Sequence, residues 1–191
     1  MPGGSLSVLG SDEIIPLINH ILPVFDLVIA VRDWHSPDHV SFVENHPGHK
    51  VGEVINLNRI TQILWAAHCI AGTKGAEFSP ELDTARVRKI INKGVDPGID
   101  SYSCFWDNEH LRETELNAYL QKQEVTDVYF AGIAIEYCVK YSVIDAISYG
   151  YKTNVIIDAC RGIELNKDDI DNAVKEMAER GVRIINSSNL C

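Results

Sequence analysis

Five short apolar runs restrict what this chain can fold into. They are "DLVIAVRD" at 26–33, "VRKIINKG" at 87–94, "DVYFAGI" at 127–133, "KTNVIIDA" at 152–159 and "VRIINS" at 182–187. Each is too short for a helix and rich in β-branched residues, so each reads as a buried strand. Between them lie segments with helical patterning: 11–25, opened by Ser11 or Asp12 as a cap; a stretch near 112–123; 136–149, with apolar positions 139, 143, 146 and 147; and 167–181, acidic at its start and stopped by Gly181. Strand–helix alternation of this kind predicts an α/β fold, a three-layer α/β/α sandwich around a mainly parallel sheet. No repeat, linker or low-complexity tract divides the 191 residues, so one domain spans 1–191, long enough for a full core. The exception to the rhythm is 34–85, irregular and rich in His, Gly and Pro. Long loops in compact domains are usually functional.

Ligands of parallel sheets bind beyond the carboxyl ends of the strands. Three chemically capable groups fall there: Asp33, His35 and His39 in "RDWHSPDH", Lys93 in "NKG", and Cys138 in "GIAIEYCV". A cysteine in the first turn of a helix faces free N–H groups and the positive end of the dipole, which lower its pKa and can hold an oxyanion. Taken alone, a small buried residue filling a strand–helix corner explains Cys138 as well. Asp33 and His35, two apart at a strand end, point to one side. With His39 and His68 they offer a carboxylate-plus-imidazole set suited to zinc, iron or manganese. Surface histidines are the plainer reading, and it is kept for His46 and His49. Lys93 is either solvated or a cation beside the thiol. Trp34 and Trp65 are either core or flat walls for a planar ligand.

The formal charge of −10 argues against nucleic acid or an anionic membrane as partner. No apolar run reaches membrane-spanning length, and "MPGGSLSVLGSDE" lacks the regions of a secretory signal. Five cysteines, at 69, 104, 138, 160 and 191, form no framework spacing, so reduced thiols in a cytoplasmic setting are expected.

These residues in this order resemble the nicotinamidase/pyrazinamidase branch of the isochorismatase-like cysteine hydrolases. The matching segments are "PGGSLSV", "RDWHSPDHVSF", "WAAHCIAGTKGAEF", "NKGVDPGIDSYSCFWDN", "GIAIEYCVKYSVIDAISYGY" and "VIIDACRGI". The resemblance implies the isochorismatase-like hydrolase fold. It also implies hydrolysis of nicotinamide to nicotinate and ammonia through a thioester on Cys138, within NAD recycling. Asp33, His35 and His68 would hold one divalent metal, zinc first and iron or manganese otherwise, with His39 as a possible fourth ligand. Lys93 would stabilise the thiolate, the backbone N–H groups of Ala134 and Cys138 would form the oxyanion hole, and Trp65 and Tyr102 would line the ring pocket. A cis peptide between Ile133 and Ala134 is also implied. Nicotinamide is the expected small-molecule partner, and a homo-oligomer is compatible with the pattern.

Two departures qualify the likeness. Relatives often carry Pro or Asp where this chain has Ala66-Ala67. The family also opens with an apolar strand ending in a catalytic Asp, patterned like D-x-Q-x-D-F, just ahead of "PGGSL". Here Met1-Pro2 stand there. The expectation is a gap between strands 26–33 and 127–133, with low stability and low activity. Two alternatives therefore stand beside the amidase: an inactive truncated or non-catalytic form, and another amide hydrolase of the same family.

Overall fold

The computed structural model describes residues 1–57 and 60–190. Cys191 lies outside the described residues; Cys69, Cys104, Cys138 and Cys160 are free thiols. Among the described residues seven strands form: β1 Val28–Asp33, β2 Val54–Leu57, β3 Ile60–Ile63, β4 Val87–Lys93, β5 Asp127–Ile133, β6 Lys152–Arg161 and β7 Arg183–Ile185. The described residues also form the α-helices α1 Ile14–Ile21, α2 Leu116–Lys122, α3 Lys140–Ser148 and α4 Asp169–Glu179.

The layers follow from the alternation along β6. Val155 and Ile157 face the cluster of Val139, Val143 and Met177 from α3, α4 and the turn before α3. Ile156 faces the other way, onto Ile21 of α1. Both faces of β6 are thus covered, and Val155, Ile156 and Ala159 are sealed from solvent. Each such aliphatic side chain contributes about 1.5–3 kcal/mol by burial. Of the apolar positions read in 136–149, Val139 and Val143 form that buried face with Ile147 beside them, and Ala146 is buried in the neighbouring cluster.

The parallel strands fall into two sheets. β1 pairs with β4, and β5, β6 and β7 pair in that order. α2 and α3 bridge them: Leu116, Leu120 and Ala146 pack with Ile29 and Val31 of β1 and with Val128 and Phe130 of β5. Between β1 and β5 runs a cavity of about 2080 Å³.

Several local expectations need correction. The first helix starts at Ile14, and neither Ser11 nor Asp12 caps it; Glu13 stands at its N-cap without a side-chain bond. Pro23, which lacks an N–H, turns its end into a 3-10 turn over Leu22–Val24. The irregular stretch 34–85 contains an antiparallel hairpin, β2–β3. Alternation over only four residues per strand was too weak a signal to find it. The helix expected over 136–149 begins as a π turn, Ile135–Val139, and becomes α-helical only from Lys140.

Candidate active site

The carboxyl ends of β1, β4 and β5 converge on one cluster. Asp33 ends β1 and Lys93 ends β4, paired in register. Lys93 is only 4% exposed, and its ammonium is fully engaged. It donates to Asp33 Oδ1 at 2.5 Å, to the Ser101 carbonyl at 2.7 Å and to Cys138 Sγ at 3.3 Å. Burial works against its charge, but Asp33, Cys138 and Asp100 together outweigh burial and hold Lys93 protonated well above the ordinary lysine range. Burial likewise opposes the Asp33 carboxylate, and Lys93, His35 and His68 overcome it, so its pKa lies below the usual value.

The loop after β1 is tied down by backbone bonds. Trp34 N–H donates to the Lys93 carbonyl, His35 N–H to the Cys69 carbonyl, and Ala71 N–H back to the His35 carbonyl. His35 is held further by Gly94. Gly94 has φ +61°, and a Cβ there would lie 2.2 Å from the His35 ring. The "KG" strand end is thus a steric requirement of the imidazole beside it. His35 Nδ1 meets the Gly94 carbonyl at 2.8 Å, and His68 Nδ1 meets the Ala66 carbonyl at 2.8 Å. A carbonyl only accepts, so both Nδ1 atoms carry the proton and both Nε2 lone pairs are free. Ala66 acts here through its backbone, so its side chain does not enter this bond.

Asp33, His35 and His68 each present a ligand atom within 4.8 Å of the others. One carboxylate and two imidazoles with accepting Nε2 atoms fit a zinc-like divalent ion and leave coordination positions open. Burial lowers the His68 pKa, which keeps its imidazole neutral, as a ligand must be. His39 differs. Its Nδ1 lies 2.7 Å from the Ser41 hydroxyl and accepts from Ser41 N–H, which places the ring proton on Nε2. That Nε2 is buried without a partner, and His39 forms a second group with His35 and Asp100. Burial, with His35 adjoining, lowers His39 to about 4.

Cys138 sits inside the π turn, not in the first turn of an α-helix, and its pKa is raised rather than lowered. Burial pushes the thiol up, and the Lys93 ammonium only partly offsets this. The expected dipole effect needs the thiol to face the mouth of a regular helix; here it sits in a π turn against the Lys93 ammonium. The Ile133–Ala134 peptide is cis. Ala134 and Cys138 both line the cavity with the cluster.

Trp65, Tyr102 and Tyr137 form an aromatic wall. Trp65 Nε1 donates to the Tyr102 hydroxyl at 3.1 Å, and the Trp65 and Tyr137 rings meet edge to face at 4.9 Å. Sequence reasoning missed Tyr137, because on a regular helix its neighbour Cys138 would point elsewhere; the π turn brings both to one cavity. Trp34 is not part of this wall. It lies under the Arg32 guanidinium, 4.1 Å from its ring centre. His46 and His49 bond within their own loop, to the Val40 carbonyl and to Glu53.

The isochorismatase domain matches residues 16–189. The chain belongs to the isochorismatase family. A nicotinamidase from Acinetobacter baylyi is 41% identical over 189 residues, covering 99% of this chain and 88% of that protein. Among solved structures, a nicotinamidase/pyrazinamidase from Acinetobacter baumanii superposes with a TM-score of 0.97 at 43% identity, over 100% of this chain and 92% of that one. A pyrazinamidase from Pyrococcus horikoshii in complex with zinc has a TM-score of 0.78 at 34% identity, over 97% and 92%. The layered fold described above is that of this isochorismatase family. No helix among the described residues is long and apolar enough to cross a membrane.

Proposed function

We propose that this isochorismatase-family chain is a nicotinamidase, hydrolysing nicotinamide to nicotinate and ammonia with Cys138 as nucleophile. One observation supports it above all: a single buried ammonium, Lys93, bonds the thiol and the Asp33 carboxylate together, beside two imidazoles with free Nε2 atoms. The relatives' names and the zinc of the Pyrococcus neighbour point the same way.

In this reading Cys138 Sγ attacks the amide carbon. The C–N bond breaks, the thiol proton leaves with the nitrogen as ammonia, and a thioester remains. Water then cleaves the thioester, releasing nicotinate and restoring the thiol. Lys93 stabilises the thiolate, which burial otherwise disfavours. The N–H groups of Ala134 and Cys138 receive the oxyanion. Trp65, Tyr102 and Tyr137 enclose the flat ring. Asp33, His35 and His68 would hold the divalent metal, zinc before iron or manganese, with His39 adjoining as a proton-bearing neighbour. A bound metal supplies a Lewis-acidic anchor for the pyridine nitrogen. Nicotinate production would serve NAD recycling, and the reduced thiols suit a cytoplasmic setting.

A non-catalytic role is favoured by one feature, the open cavity between β1 and β5, which reaches Cys138. Ammonia release from nicotinamide by zinc-loaded chain separates the two readings. Turnover abolished by Cys138→Ala, with metal content unchanged, supports the amidase. No turnover at any metal loading supports the non-catalytic reading. Loss of metal on removing the thiol would make Cys138 a ligand and refute the mechanism.

A further inference from the structure

The π turn Ile135–Val139 spends its backbone donors unevenly. Tyr137 N–H reaches the Ala134 carbonyl at 3.2 Å, and Val139 N–H reaches the same oxygen at 3.1 Å. An α-helix would send Cys138 N–H to that carbonyl, four residues back. Here Cys138 N–H does not donate to it. Lys140 N–H repeats the wide spacing, reaching the Ile135 carbonyl. The turn thus withholds from the helix the donor that the amidase reading gives to the oxyanion. Such turns are rare beside the α-helix and cluster at functional sites.

A buried carboxylate fastens this turn from outside. Glu136 is 4% exposed, and the mechanism above makes no use of it. Its Oε1 accepts Ile163 N–H and Glu164 N–H, both at 2.7 Å. Just before the turn, Gly132 and Ile133 of β5 stand in register with Cys160 and Arg161 of β6. β5 ends at Ile133, so its ladder stops there. Glu136 Oε1 then takes the place of a strand carbonyl, and the turn stays tied to the segment that β5 was paired with. Gly162 makes room for it. A Cβ there would stand 2.6 Å from Glu136 Oε2 and 2.7 Å from the Ile170 side chain, so glycine is what lets the carboxylate approach. Oε2 itself is buried and has no hydrogen-bond partner among the described residues. One oxygen makes both bonds.

We propose that Glu136 is a positioning residue: by tying the π turn to residues 163 and 164, it keeps Cys138 N–H free for the oxyanion and Cys138 Sγ beside Lys93. The oxyanion half rests on the nicotinamidase reading; the thiol half rests on the 3.3 Å contact with Lys93 alone. Reach is what matters, not charge. Glutamine keeps an acceptor oxygen in the same place, whereas aspartate keeps the charge and stops one methylene short.

The test compares Glu136→Gln, Glu136→Asp and Gly162→Ala in the zinc-loaded full chain. Nicotinamide hydrolysis gives kcat and KM, and mass spectrometry follows alkylation of Cys138 by iodoacetamide at neutral pH. Glu136→Gln should stay within about threefold of the parent in both, because the acceptor is kept. Glu136→Asp should lower kcat about 10²–10³-fold, the cost of one oxyanion donor, far more than KM rises as Tyr137 shifts. Its thiol should alkylate about tenfold more slowly, as expected when a thiolate loses its cation. Gly162→Ala should behave like Glu136→Asp with Glu136 itself intact, and it decides the matter if the aspartate variant does not fold. Glutamine as damaging as aspartate would make charge the working feature. A lower melting temperature with kcat and alkylation unchanged would make Glu136 a packing residue, and a rise in KM alone would confine it to the aromatic wall. Each of these three outcomes overturns the proposal. A parent chain that leaves nicotinamide intact refutes the amidase reading instead; the proposal then stands if aspartate slows alkylation and glutamine restores it, and falls if it does not.

Discussion

The carboxyl ends of β1, β4 and β5 and the flanks of β1 and β5 are neighbours, and they are built in opposite ways. At the ends, polar groups are spent on one another: Lys93 makes three bonds, and both His35 and His68 are oriented by a carbonyl. Along the flanks, two rows of backbone groups border a cavity of about 2080 Å³. The first region is organised by side chains that reach across sequence distances of tens of residues. The second is held by helices: Leu116, Leu120 and Ala146 of α2 and α3 pack on both β1 and β5. The preorganised site thus lies where the ends of β1, β4 and β5 meet, on strands that the same two helices pack against.

The largest expected effect lies at the ends. Cys138→Ala should reduce nicotinamide turnover by at least about 10³-fold, as loss of a nucleophile does, while melting temperature and bound metal stay near those of the parent. An unfolded variant would show that the thiol serves packing instead. Lys93→Gln comes next. It leaves the Asp33 carboxylate without its cation, so a fall in stability of about 3–5 kcal/mol is expected alongside lost turnover; chemical denaturation measures it, and a change under about 1 kcal/mol would make the ion pair dispensable.

Gly94→Ala tests the ends through backbone shape alone. The added Cβ displaces His35, and zinc affinity should drop about 10–100-fold by competition with a chelator. Unchanged affinity would remove His35 from the ligand set. A paired comparison then sets the closed half of the sheet against the open one. Val155→Ala, in the sealed face of β6, should cost about 2–4 kcal/mol, and Ile90→Ala, 43% exposed on β4, less than about 0.5 kcal/mol. Similar losses at both would mean that β4 is covered in solution.

The smallest effect is a pH slope in the metal-free chain. Burial keeps His39 and His68 neutral in the fold, so their folded pKa values lie below the unfolded value of about 6.5. Between about 6.5 and 4 the unfolded chain binds more protons than the folded one, so stability rises with pH across that window and is lost as pH falls through it. A flat profile would place both imidazoles in contact with solvent.

The strand–helix alternation, the position of Cys138, Lys93 and Asp33 at strand ends, and the nearness of Asp33 to His35 were legible in the sequence. Each depends on short-range periodicity or on the rule that parallel sheets present their carboxyl ends to ligands, and both act within a few residues. The choice of His68 as their companion came only from the family resemblance. What lay beyond the sequence depends on distant partners. Whether Cys138 is acidified depends on how deeply a π turn buries it against Lys93, 45 positions away. Tyr137 joins Trp65 and Tyr102 only because that same turn rotates it inward. His39 is set apart from His35 and His68 by which neighbour its Nδ1 meets, a serine rather than a carbonyl. Local patterning chooses the elements and their order. Burial and proton placement are settled only when segments far apart in the chain compete for the same space and the same hydrogen bonds.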